Sequence, residues 1–227
     1  MVIVLFSLAS VNTPAEASPP QAGCSGPGKQ RWPIKVSIPA DANIAAPITV
    51  PFGQFIGISD PGGIKPDDSR FETVRIPDVI NGKYKEGQIV STTGWLYLVL
   101  TEADDCDYHI QISDVPRTTT DKPTPADHCI VVEVPRPDFA ATPDLRNRYS
   151  TIRDFIKTRL LNGKEPGGSG NVMQHPVYVR ITGALFFDDT HLTSDGGHQN
   201  RGRKGMQAQT LWEIHPIVDF QFAPKPQ

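Results

Sequence analysis

From residue 86 onward the chain is written in one order: three extended runs, a helix, and two more extended runs. Residues 88–101 (QIVSTTGWLYLVLT) form a long β-type run with Gly94 near its middle, and a lone glycine inside a strand marks a bulge or a sharp bend. Residues 107–113 (DYHIQIS) alternate, with Tyr108, Ile110 and Ile112 on one face and Asp107, His109, Gln111 and Ser113 on the other. Residues 129–134 (CIVVEV) make a third run. Thr142 then reads as a helix N-cap with Pro143 at the first helical position. Leu145, Tyr149, Ile152, Phe155, Ile156 and Leu160 follow at helical spacing, and Asn162-Gly163 closes the helix. Residues 177–187 (VYVRITGALFF), again with a central glycine, and 210–222 (TLWEIHPIVDFQF) complete the set.

This order excludes the common alternatives. An immunoglobulin-like sandwich wants about seven short strands and no interior helix of this length. A doubly wound α/β sheet needs several more helices. A bent first strand and a helix between strands three and four describe a mainly β fold, a five-stranded OB-like barrel. Residues 31–85 precede it as an N-terminal irregular and β extension, with short strands expected over 32–38 and 71–76 and a turn at Asn81-Gly82. Proline supports the reading: 22 of 227 residues, with 19 glycines, favour turns and short elements over helix. One domain over 31–224 is expected.

The first residues read as an address. Residues 2–9 are apolar, and Ala15-Glu16-Ala17 has the form of a signal cleavage site, so 1–17 reads as a truncated signal peptide and 18–30 as a flexible linker. An exported, periplasmic or extracellular, protein is expected. No run of about 18 apolar residues exists to cross a membrane as a helix.

Export permits disulfides. Three cysteines allow one bridge. If 107–113 and 129–135 pair as a hairpin, Cys106 and Cys129 lie at opposite ends, roughly 20 Å apart at about 3.3 Å per residue. That is beyond the disulfide limit of about 7 Å. Cys24–Cys129 is therefore the expected bridge.

The phrases WPIKV, GWLYLV, DCDYHIQIS, VVEVP, VRITGALFFDDTH and LWEIHP resemble a set of uncharacterised bacterial exported proteins, over about residues 31–224. The resemblance implies the same fold and address and no activity.

Chemistry concentrates on the strands. Asp107, His109 and Gln111 share a face, as do Glu213 and His215, and Glu133 sits on the third strand. In an OB-like barrel these strands are neighbours, so the residues are expected to converge on the outer surface, with Glu133 between the two imidazoles. Asp107, His109, His191, Glu213 and His215 are candidate ligands for a zinc-like divalent metal. OB-like folds bind on the strand 2–3 face and the 4–5 loop, which makes His109, Gln111, Glu133, Arg201, Arg203 and Lys204 the candidate ligand-binding residues. No residue is assigned a catalytic role, because polar residues on an outer strand face also serve solubility. Whether the protein is an enzyme is left open. Two functions follow: a binding module for an unidentified ligand, or a metal-dependent hydrolase of phosphodiester-like substrates with Glu133 or Glu213 as base.

Nucleic acid is disfavoured as a partner. The net charge is −3, Glu102, Asp104 and Asp105 make the 1–2 loop acidic, and outer-face aromatic residues are scarce. Gly23 to Lys29 spells G-x-x-x-x-G-K but lacks the following Ser or Thr and the strand before it, so it is no phosphate loop.

Overall fold

A computed structural model describes Gly26, Gly28 and residues 30–226. The leader over 1–17, most of the 18–30 linker and Cys24 lie outside the described residues. The architecture is mainly β: a seven-stranded mixed sheet with few helices. Its strands are β1 (Ile48–Thr49), β2 (Ile89–Thr101), β3 (Tyr108–Ser113), β4 (His128–Val134), β5 (Asn171–Phe187), β6 (Gln207–Ala208) and β7 (Trp212–Phe222). The helices are α1 (Trp32–Lys35), α2 (Phe52–Ile56) and α3 (Pro143–Leu160).

The five long strands close a ring of hydrogen bonds, in the order β2–β3–β4–β7–β5 and back to β2. The β4–β7 pairing is parallel, and the other four are antiparallel. Apolar residues from every strand of the ring, among them Leu96, Ile110, Val132, Ile181 and Ile214, form one core cluster on the enclosed face. Strand β2 pairs with β1, β3 and β5, and it is irregular where it passes from one part of the ring to the next. Its register with β3 and β5 shifts between Leu96 and Leu98, just past Gly94. A side chain on Gly94 would lie 3.0 Å from the Ser113 carbonyl oxygen.

Helix α3 forms where the spacing predicts it. The Thr142 Oγ1 accepts from the Leu145 N–H at 3.3 Å, and Asp144 stands in the first turn, where the helix dipole favours an acid. Leu145, Tyr149, Ile152 and Ile156 are buried, and the helix packs on β7.

Two expected strands of the extension are absent. Residues 32–35 are the short helix α1, with proline in its first turn, and only Ile34 of it is buried. Residues 71–76 alternate but find no partner strand; the Ile76 N–H donates instead to the Glu86 carboxylate at 2.7 Å. That carboxylate organises the whole extension. It takes Arg31 in two hydrogen bonds of 2.8 and 2.6 Å and the Phe187 N–H at 3.0 Å. Arg31 also donates to the Phe187 carbonyl at 2.7 Å. The pair fastens residue 31 to the end of β5.

The β3–β4 register runs from Tyr108↔Val134 to Ser113↔Cys129, so Cys106 and Cys129 do stand at opposite ends of the hairpin. The expected Cys24–Cys129 bridge is not formed: Cys129 is a free, buried thiol, held at about 12 by burial, with Gln111 and Arg201 opposing. Cys129 faces Met206, Leu98 and Leu100 in a small cluster on the outer face, where the β5–β7 loop covers it. Cys106 is disulfide-bonded. Peptide mapping is therefore expected to yield a Cys24–Cys106 peptide, with Cys129 labelled only after denaturation; a bridge at Cys129 would contradict this fold.

Candidate functional site

The alternating strands bring the expected polar residues together. His109 on β3 and His215 on β7 flank Glu133 on β4. His109 Nδ1 lies 2.8 Å from Glu133 Oε1, and His215 Nδ1 lies 3.1 Å from Glu133 Oε2. On its other edge, His215 Nε2 is 3.1 Å from Asp107 Oδ2, and Glu213 Oε2 is 3.5 Å from Nδ1. A row results in which carboxylates and imidazoles alternate: Asp107, His215, Glu133, His109.

The expected surface placement is overturned. His109 is 4% exposed and His215 is fully buried. The residues do lie on the outer face of the ring, but that face is covered by the β5–β7 loop, with Gly26, Gly28 and Gln30 beside it. Arg201 of the loop makes the cover hold. Its Nη2 pairs with Glu213, with Asp188 at 3.1 Å and, at 3.9 Å, with Glu133. His191 Nδ1 meets the same Asp188 at 2.7 Å. Gln111 fastens the next turn of the loop, accepting from the Arg203 N–H at 2.7 Å and donating to the Met206 carbonyl at 3.4 Å. Lys204 contributes only its backbone: its carbonyl accepts from the Tyr97 hydroxyl at 2.7 Å, and its side chain is exposed.

Charged partners, working against burial, decide the charge states. Desolvation works to lower the His215 pKa, but Asp107 and Glu133 outweigh it and raise the pKa to about 9. Burial likewise works against the Glu133 carboxylate, yet His109 and His215 hold it well below the usual range. An ionised carboxylate only accepts, so His109 donates to it through Nδ1–H, and His215 meets it as an ion pair. Asp188 is driven down by Arg201 and His191 against its own desolvation.

The His215 shift fixes a pH dependence. The folded pKa of about 9 stands above the ordinary 6.5, so the stabilisation is complete below about pH 6.5 and is lost as the pH rises through 9. At about 1.4 kcal/mol per unit this amounts to about 3 kcal/mol. Urea unfolding at pH 6 and pH 10 is expected to show that fall, and His215→Gln should flatten it.

Asp107, Glu133 and His215 each offer a ligand atom within 4.8 Å of the others, so this buried group could hold a metal ion. The two carboxylates stand at opposite nitrogens of the ring, which suits an imidazolium in ion pairs with both. His191 and Glu213, expected beside them as ligands, are taken up instead by Asp188 and Arg201.

Above this cluster opens a cavity of about 700 Å³. Its floor is the β3–β4 face with His109 and Glu133. The β5–β7 loop supplies Asp188, Thr190, His191, Arg201 and Arg203; the β2–β3 turn supplies Glu102, Asp104 and Asp105. Gly26, Gly28 and Gln30 form the remaining wall with Lys35 of α1. A side chain on Gly28 would come within 3.1 Å of Asp105 Cβ, so glycine lets the backbone pass there.

Among the described residues the cavity is acidic: five carboxylates line it against three Lys and Arg side chains. Burial, then Asp107 and Glu133, push Asp105 up to about 7. Burial opposes the Lys35 ammonium, yet Asp188, Glu133, Asp105 and Asp107 raise its pKa. Lys35 is the pocket residue that sequence reasoning missed. It belonged to an expected edge strand, and nothing in its spacing marks it.

No family model matches the chain, and no curated protein matches it.

Proposed function

We propose that the chain is an OB-like barrel serving as a binding module for a small polar molecule, seated in the cavity on the β3–β4 face. The closed five-strand ring, its parallel β4–β7 pairing and the helix between β4 and β5 support the OB-like assignment. The observation that carries the functional reading is the cavity itself: it lies between the β3–β4 face and the β5–β7 loop, where such folds take ligands. The apolar leader and Ala15-Glu16-Ala17 support an exported protein, related to the bacterial exported set its motifs resemble. A library of small polar compounds tested by ¹H–¹⁵N NMR decides the binding reading. Binders should shift resonances of His109, Arg203 and the 102–105 turn together, and Arg203→Ala should weaken them. Shifts scattered over the surface, or none, refute the module.

The second reading, a metal-dependent hydrolase, draws on the Asp107, Glu133 and His215 group. These residues would hold a zinc-like divalent ion, which would supply a Lewis acid or an activated water. Elemental analysis of protein purified without a tag decides it: stoichiometric metal, reduced by Asp107→Asn, supports the reading, and metal-free protein that gains none on titration with Zn²⁺ removes it.

A further inference from the structure

A second pocket, of about 360 Å³, lies between the turn that leads into β1, residues 39–46, and the start of β2. Its volume falls in the usual range of about 300–1,000 Å³ for small-molecule sites. It shares no lining residue with the larger cavity.

Arg75 singles this pocket out. Its Nη2 donates to the Ser37 carbonyl at 2.8 Å, while its Nη1 is buried and has no hydrogen-bond partner among the described residues. Among those residues the guanidinium has no ion-pair partner either. Glu86, whose charge favours it, is taken up by Arg31 in bonds of 2.8 and 2.6 Å. Burial lowers the Arg75 pKa, Glu86 opposes the fall, and Arg31 adds to it. A guanidinium keeps its charge when desolvated, so one without a counter-charge is costly.

Gly87 makes the room for this side chain. Its φ is +85°, and a β-carbon there would stand 2.6 Å from Arg75 Cδ, 2.9 Å from Arg75 Nε and 2.7 Å from Pro39 Cγ. The backbone is fixed at that point, because the Gly87 N–H donates to the Leu185 carbonyl at 2.7 Å. Glycine is what lets it pass so close to the arginine stem. Lys85 lines the same pocket, is exposed, and has no ion pair among the described residues. The acids of the lining are Glu86, already paired, and the exposed Asp41. Two cations therefore face one free carboxylate. Apart from Asn43 and Gln88, the remaining side chains of the wall are apolar, Ile48 and Ile89 the largest of them.

We propose that this pocket binds a small aliphatic monocarboxylate, its carboxylate against Arg75 and Lys85 and its chain against Ile48 and Ile89. The planar fork of an arginine matches a carboxylate, and charge-assisted hydrogen bonds offset the hydration that the guanidinium has lost. Arg75 is half-buried and Lys85 exposed, so an anion reaches both from solvent. Asp41 limits the ligand to one negative charge, since a second carboxylate would be repelled by it. The apolar wall favours a chain of a few carbons over a bare ion. The site stands apart from the binding module proposed above.

The test titrates the whole chain with sodium butanoate at constant ionic strength, followed by ¹H–¹⁵N NMR. Saturable shifts of the Gly87 and Gln88 amides and of the Arg75 Nε–H are expected. Butanamide, of the same shape without the charge, should bind at least about tenfold more weakly. Arg75→Gln should weaken butanoate roughly 10- to 100-fold, the loss of one hydrogen bond to a charged group. Lys164→Gln, exposed beyond the end of α3, should leave binding unchanged. Circular dichroism confirms that each variant folds. If Arg75→Gln fails to fold, Ala46→Glu replaces it: position 46 is exposed, and the added carboxylate should weaken butanoate at least about tenfold. No saturable shift, butanamide as strong as butanoate, or binding indifferent to the variant used overturns the proposal. The same shifts from sodium chloride alone also overturn it, because they mark a site for any anion. Shifts at His109 and Arg203 in place of Gly87 put butanoate in the larger cavity: this site then falls and the binding module stands.

Discussion

Gly183→Ala is expected to cost the protein at least about 3 kcal/mol, at or above the top of the usual range for overpacking, and to leave little soluble material. A β-carbon there would stand 2.3 Å from the Pro216 carbonyl oxygen, 2.5 Å from Ile214 Cγ2 and 2.9 Å from Ile217 Cα. Two of those three atoms are backbone, so no side-chain rotation relieves the clash. Strand β7 cannot retreat either, since it is paired with β5 on one side and β4 on the other. The β5–β7 register already shifts on both sides of Gly183, which is how a strand turns a corner in a closed ring. Urea denaturation should show the loss, with Gly168→Ala as control. The added carbon of that control meets nothing closer than the Thr101 carbonyl oxygen at 3.7 Å, and its effect should stay within about 0.5 kcal/mol. A Gly183→Ala protein as stable as the parent would mean that β5 and β7 do not meet in this register.

The glycines show why so much of the ring was legible. Gly94 and Gly183 interrupt otherwise continuous β runs, and a bend is the physical reason to place a glycine there. Alternation in DYHIQIS sorted inward Tyr108, Ile110 and Ile112 from outward His109 and Gln111, and the structure keeps that division. Because side-chain direction has period two, convergence of His109, Glu133 and His215 followed once the strand order was right. Burial did not follow. A polar face that meets solvent and one that meets a charged loop carry the same alternation, and the cover comes from residues 188–211, which have no periodicity to read. Lys35 and Arg31 were hidden for a related reason: their partners lie across the fold, at Glu86 for Arg31 and around the cavity for Lys35. The 71–76 segment failed in the opposite sense. It has a strand's alternation but no strand beside it, and its N–H at Ile76 is satisfied by a side chain.

Arg201→Met separates a buried keystone from a surface ligand contact. Methionine has similar length and no charge, so the change removes the cation and keeps much of the packing. Left behind are Glu213, Asp188 and Glu133, all under 8% exposed as side chains and all paired to that one guanidinium. Removing one partner from a buried ion cluster typically costs about 3–5 kcal/mol, because the remaining charges stay desolvated. For a domain of this size that corresponds to a fall in Tm of roughly 6–20 °C. The loss should shrink at acidic pH, as the stranded carboxylates take up protons that the parent refuses. Combining Arg201→Met with Glu213→Gln should recover part of the stability, since the pair is in direct contact and their effects cannot add. An exposed arginine reaching for a ligand would behave differently: its replacement would weaken binding and move stability by no more than about 0.5 kcal/mol. Differential scanning calorimetry on the two single variants and the double variant distinguishes these cases. A stable Arg201→Met protein would mean that Arg201 does not hold the β5–β7 loop to the β3–β4 face, and would remove the cavity wall on which the binding reading depends.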